Sequence, residues 1–207
     1  MTKGGTGGSA SVQCRNRVMP GRDELFQLLD EILDDPDRRG PLESQIEDEF
    51  VSERAILVLD MTGFSRTTQA RGIVEFLLKI RRLRRVADMV IAENSGDVIK
   101  AEADNLFCLF PLVDDALAAA RRIIEWLPAE VYASIGIGFG PMLLVGEDDM
   151  LGSEVNLASK LGEDVADDGE ILLTQSARAA LAREEKFEAR TVSVSGLELR
   201  HFACPSS

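Results

Sequence analysis

Five consecutive apolar residues, Ala55-Ile56-Leu57-Val58-Leu59, run directly into an aspartate, Asp60. An unbroken apolar run of strand length has no polar side to offer water, so it is predicted to be a strand covered on both faces. Such a strand needs layers above and below it, which excludes a single sheet with one wet face. It also delivers a carboxylate to the end of the most buried element of the chain.

With 207 residues, 45% of them hydrophobic and 29% charged, the chain is long enough for one domain with a real core and has the composition of a folded protein. The pattern divides it into two parts. Residues 1–52 read as a Gly/Ser-rich flexible tail, a short amphipathic helix over residues 23–35 carrying Leu25, Phe26, Leu29, Ile32 and Leu33, and a polar linker (DDPDRRGPLESQ). Residues 53–207 read as one folded domain. After the first strand comes a long helix over about 67–94, then two short strands (96–100 and 106–110) joined by the turn AEADN, and a helix over 114–127. Val131 to Phe139 alternates large and small residues as a strand does, and Leu143 to Val145 continues the sheet. Helix is expected again over 153–165, then strand 170–173, helix 175–183, and a closing hairpin around Ser195-Gly196. The order βαββαβ followed by a C-terminal extension predicts an α+β fold: a ferredoxin-like core with a mixed sheet covered by helices.

A net charge of −13 argues against general attraction to nucleic acid or to an anionic membrane. The basic run Arg81-Arg82-Leu83-Arg84-Arg85 lies in a helical pattern and fits a solvated face. Three widely spaced cysteines, Cys14, Cys108 and Cys204, give neither a disulfide framework nor a metal pair, and no apolar run reaches membrane-spanning length. A cytoplasmic location without membrane contact is the expectation.

Three segments carry chemistry. In LVLDMTGFS (57–65), Asp60 enters a turn where a carboxylate can hold a metal while backbone N–H groups of Thr62, Gly63 and Phe64 meet phosphate oxygens; an ordinary helix-capping aspartate is the alternative. In GDVIKAEADNLFCLF (96–110), Asp104 stands on a hairpin that can lie beside the first strand, and two carboxylates converging there are the usual protein share of a magnesium–polyphosphate site. The competing reading is an exposed turn residue. In DDMLGSEVNLASKLGE (148–163), Asn156 and Lys160 are four apart on a helix and share a face, as many surface pairs do.

Taken together, DMTGF (60–64), GDVIKAEAD (96–104) and GSEVNLASK (152–160) resemble the motifs of class III adenylyl and guanylyl cyclase catalytic domains, in the same order over residues 55–174. The resemblance implies that Asp60 and Asp104, with the Met61 carbonyl, bind two divalent metal ions, Mg²⁺ or Mn²⁺. It places Lys100 and Asp149 where adenine-selective members read the base, Asn156 where the ribose is oriented, and Lys160 where most members use Arg at the transition state. It further implies a homodimer with sites at the subunit interface, metal ligands coming from one chain and the base readers Lys100 and Asp149, with Asn156 and Lys160, from the other. A Lys ammonium donates to adenine N1 and a carboxylate accepts from its N6 amine, whereas guanine presents the reverse polarity.

The implied activity is an adenylate cyclase, a phosphorus–oxygen lyase converting ATP to 3′,5′-cyclic AMP and pyrophosphate, under an upstream regulatory domain or protein. Two departures stand out. Ala103 replaces the usual glycine before Asp104, and Lys160 lacks the planar fork of arginine, which points to weak turnover. The alternatives are a weak or inactive cyclase-fold module for nucleotide sensing or dimerisation, and a cyclase for another nucleotide. The lone histidine, His201, falls outside every motif and reads as structural.

Overall fold

The computed structural model describes residues 20–62, 72–194 and 196–205. The apolar run is the middle of a long strand, β1 (Val51–Met61), whose residues from Ala55 to Leu59 have no exposed surface. Helix α3 (Ile73–Glu93) leads to the hairpin β2 (Asp97–Glu102) and β3 (Asn105–Phe110). Helix α4 (Val113–Trp126) then crosses to β4 (Ala133–Val145), one strand that takes in both the 131–139 segment from Ala133 onward and Leu143 to Val145. The sheet order β2-β3-β1-β4 is the ferredoxin-like arrangement, with β1 antiparallel to both neighbours. A short strand β5 (Asp149–Leu151), not foreseen from the sequence, folds back on β4. Helix α5 (Ser153–Ser159) continues as a π-helical turn over Lys160–Val165. Strand β6 (Ile171–Thr174) runs parallel to β4, helix α6 (Gln175–Ala180) follows, and the hairpin β7 (Glu188–Val194) and β8 (Leu197–Ala203) extends the sheet to eight strands.

Alternation along β1 sends side chains into two cores. Ala55, Leu57 and Leu59 pack under α3 and α4 with Leu83, Ala87, Val90, Ala120 and Ile123. Ile56 and Val58 face the other way, toward Met142, Val155 and Ala158. On that second face α5 lies so close to β4 that a Cβ on Gly136 would meet the Ala158 carbonyl oxygen at 2.0 Å. Only glycine permits this approach.

The segment expected to be a linker is helical. Pro36–Arg38 forms a 3₁₀ turn and α2 (Arg39–Phe50) follows it directly. Pro41 falls in the first turn of α2, where its missing N–H breaks no intrahelical bond. Leu42, Ile46 and Phe50 recur every four residues and are buried against Leu25 and Leu28 of α1 (Arg22–Asp34) and Val145 of β4. Burial of such side chains is worth about 1.5–3 kcal/mol each. The packed face of α1 is therefore Leu25, Leu28 and Ile32, whereas Phe26, Leu29 and Leu33, expected on the same face, are exposed. The predicted start of α3 falls partly outside the described residues.

The Arg81–Arg85 run lies on α3, where Arg82 pairs with Glu75 and Glu130 and Arg84 with Asp88. Among the described residues no helix is long and apolar enough to cross a membrane. His201 is buried in β8, its Nδ1 lying 3.3 Å from the Leu199 carbonyl oxygen.

Candidate active site

Residues paired directly across neighbouring strands share a face. One row across β2, β3, β1 and β4 is therefore Glu102, Asn105, Asp60 and Ser134, and the next is Lys100, Phe107, Val58 and Gly136. Asp104 occupies the β2–β3 turn, where its carbonyl accepts the Met61 N–H at 3.3 Å. Hydrogen-bonded backbone thus ties the hairpin tip to the end of β1 and brings the two predicted metal carboxylates to one corner of the sheet. Ala103 holds that turn with φ +48°, so the left-handed conformation usually supplied by glycine is present here at the cost of about 1 kcal/mol of strain.

The same corner gathers acids that sequence motifs did not single out. The π-helical turn is pinned to the sheet by the Ser134 hydroxyl, which donates to the Gly162 carbonyl at 2.8 Å. It presents Glu163 and Asp164 toward Asp60. Asn105 Nδ2 donates to Glu163 Oε1 at 3.1 Å, while Asn105 Oδ1 is buried without a hydrogen-bond partner. Burial, reinforced by the charges of Asp104, Glu163 and Asp164, pushes the Asp60 carboxyl up from 3.8 to about 6. Glu163 is raised too, first by burial and then by Asp164, Glu102 and Asp104, with the Lys160 ammonium opposing them.

A half-buried corner with clustered negative charge and an oxygen lacking a donor fits a cation. Among the described residues no group of three or more His, Cys, Asp or Glu side chains is arranged to hold a metal ion. A cation here would take two carboxylates from the chain and its remaining oxygens from phosphate and water. Glu163 was legible only weakly, as the residue three beyond Lys160 and so on the same helical side.

The repulsion at this corner has a measurable consequence. Because the folded protein holds the Asp60 proton more tightly than the unfolded chain does, acidification from about pH 6 toward 3.8 stabilises the metal-free protein. Asp60→Asn is expected to remove that contribution and to be more stable than wild type at pH 7 by about 1–2 kcal/mol after allowance for solvent screening. Thermal melts in EDTA across pH 4–8 check this; a wild type and variant with parallel profiles would refute it.

The two predicted base-reading residues also converge. Lys100 Nζ lies 3.9 Å from Asp149 Oδ1 and 2.8 Å from Glu102 Oε1, and the hydrogen bond to Glu102 raises the Lys100 pKa. Asp149 is the first residue of β5, its Oδ1 accepting the Met150 N–H at 3.0 Å and its Oδ2 facing Arg22 at 2.7 Å. Asn156 is exposed on α5 and Lys160 half-buried at the start of the π-helical turn. Among the described residues no hydrogen bond or ion pair joins either of them to Asp60 or Asp104. The Thr62 N–H donates to the Tyr132 carbonyl at 3.1 Å and its hydroxyl to Asp168, which fixes the end of β1. Gly63 and Phe64 lie outside the described residues.

No protein-family model matches this sequence, and no curated protein matches it. The likeness lies in the fold. The catalytic core of a rhodopsin-guanylyl cyclase with converted specificity, in complex with ATPαS, superposes with a TM-score of 0.65 at 17% identity, covering 74% of this chain and 97% of that one. An adenylate/guanylate cyclase/hydrolase from Silicibacter pomeroyi gives 0.62 at 24% identity over 76% and 99% of the two chains. A bacterial light-regulated adenylyl cyclase gives 0.64 at 18% identity, over 73% of this chain and 52% of that one. The fold is that of the cyclase catalytic domain, and its structural neighbours include both adenylyl and guanylyl cyclases.

Proposed function

We propose that the chain is a class III-type adenylate cyclase that converts ATP to 3′,5′-cyclic AMP and pyrophosphate at sites shared between two copies of itself. The observation that carries this reading is the arrangement on one sheet face. Asp60 and Asp104 meet at a corner crowded with negative charge, and Lys100, one row along, stands within 3.9 Å of Asp149.

The reaction joins the ribose 3′-oxygen to the α-phosphorus, breaks the bond to the bridging oxygen and releases pyrophosphate. Asp60 and Asp104, with the Met61 carbonyl, would hold two divalent ions, Mg²⁺ or Mn²⁺. When bound, these ions supply the charge that neutralises the triphosphate and acidifies the 3′-hydroxyl. Gly63 and Phe64 would present backbone N–H groups to phosphate oxygens, whereas the Thr62 N–H, expected to do the same, is already given to the Tyr132 carbonyl. Asn156 would orient the ribose, and Lys160 would face the phosphorus at the transition state as a single point charge. An ammonium that also counters Glu163 is a weaker transition-state cation than a free arginine, so slow turnover is expected.

Two features support a second copy as the missing half of the site. Among the described residues no hydrogen bond or ion pair joins Asn156 or Lys160 to Asp60 or Asp104. The first turns of α3 also expose Ile73, Val74, Leu77 and Leu78, an apolar patch of the kind that marks an interface. Base choice rests on Lys100 and Asp149, because a cation and a carboxylate so close together match the N1 acceptor and N6 donor of adenine.

Incubating the purified protein with each nucleoside triphosphate and Mg²⁺ or Mn²⁺, with products identified by mass spectrometry, tests the reading directly. Cyclic AMP is expected as the main product, and the absence of any cyclic nucleotide would leave a binding or dimerisation module. Changing Lys100 and Asp149 together is expected to cut the kcat/KM ratio of ATP over GTP by about 10–100-fold, the scale of two lost base hydrogen bonds. An unchanged ratio would remove both residues from base recognition.

A further inference from the structure

Asp149 does not stand free in this chain. Its Oδ2 lies 2.7 Å from the Arg22 guanidinium, contributed by a residue 127 positions earlier in the sequence. Its Oδ1 already accepts the Met150 N–H. The contact is more than a chance meeting of long side chains, because the backbone is tied on both sides of it. The Gly146 N–H donates to the Pro20 carbonyl at 2.9 Å, and Leu25 and Leu28 of α1 are buried with Phe50 and Val145. The helical pair α1–α2 is thereby docked at the end of β4 from which β5 turns back, and the first residue of α1 reaches the proposed base-reading carboxylate.

We propose that Arg22 is a positioning residue for base selection, which competes with the exocyclic amine of the substrate for the Asp149 carboxylate. The proposal rests on the assignment of Lys100 and Asp149 to the base. A 6-amino purine offers an N–H donor and needs a carboxylate acceptor, whereas a guanidinium on that carboxylate fills the acceptor position and adds donors of its own. Arg22 therefore weakens the hold on a 6-amino base and favours a 6-oxo base, whose oxygen accepts. The N-terminal helical pair acts through this one contact as a restraint on adenine selectivity. The ion pair is partly exposed, with 57% of the Arg22 and 24% of the Asp149 side chain open to solvent, so the effect is of modest size.

The test is equilibrium titration of the full chain, with Mg²⁺ present, by 3′-deoxy-ATP and 3′-deoxy-GTP, which lack the attacking hydroxyl and report binding without turnover. Arg22→Ala is expected to tighten 3′-deoxy-ATP by about threefold, on the scale of an exposed ion pair. It should leave 3′-deoxy-GTP unchanged or weaker, and Arg22→Lys, which keeps the charge, should stay close to wild type. Arg22→Met, which keeps the length and apolar stem, guards against loss of α1 docking and should behave as Arg22→Ala does, with an unchanged melting temperature. If Arg22→Ala and Arg22→Met leave both affinities unchanged, or shift both alike, while Asp149→Asn alters the preference, Arg22 has no part in base selection and the base site stands. If Asp149→Asn leaves the preference unchanged, the base-site assignment itself fails and the role of Arg22 falls with it.

Discussion

Replacing either Asp60 or Asp104 by asparagine is expected to lower kcat by about 10²–10⁴-fold while leaving the protein folded, because each change removes several kcal/mol of interaction with the divalent ions and almost none of the core packing. The side chains at this corner are only half-buried, and the core beneath them is made by the neighbouring residues Leu57, Leu59 and Leu106. Asparagine keeps the shape of aspartate and loses its charge. In the metal-free state the loss relieves repulsion, so Asp60→Asn is expected to melt no lower than wild type as its activity disappears. Cyclic nucleotide formation by mass spectrometry, paired with thermal melts, makes the measurement. Near-wild-type turnover in either variant would take the two-metal assignment down, and a collapse of the melting temperature would reassign the residue to a structural role.

The second large effect concerns where the two halves of the site reside. Asp104→Asn and Asn156→Ala chains are each expected to be nearly inactive, and mixing them should restore activity. In a mixed dimer one site receives both damaged residues and the other receives neither. With random exchange half of the dimers are mixed, so recovery should approach about a quarter of the wild-type rate at equal total chain. Recovery should also depend on time and concentration as the subunits exchange. Mixed dimers that are demonstrated, for instance by native mass spectrometry of differently tagged chains, and that remain inactive would overturn the shared-site arrangement. A site within one chain, or a non-catalytic role, would then account better for the convergence of Lys100 and Asp149.

Much of the site was legible in the sequence because its parts are local. An apolar run ending in Asp60, a polar turn holding Asp104 and a helix carrying Asn156 and Lys160 each fit within a few residues, where periodicity and turn chemistry act directly. The helical pattern of Leu42, Ile46 and Phe50 was present too, but two prolines and a glycine nearby read as breakers. They proved compatible with helix because Pro36 opens the 3₁₀ turn and Pro41 stands in the first turn of α2.

By itself, then, the sequence determined the order of the main elements from β1 onward, the two-sided burial of β1 and the side chains of the proposed metal, ribose and base sites. Tertiary structure alone decided which distant groups meet. Arg22 and Asp149 are 127 positions apart, Asn105 and Glu163 are 58 apart, and Thr62 and Asp168 are 106 apart. No local pattern encodes such pairs. They follow from strand register, from the close approach of α5 to β4 at Gly136, and from the docking of α1 and α2 beside β5, each set by the packing of many side chains at once.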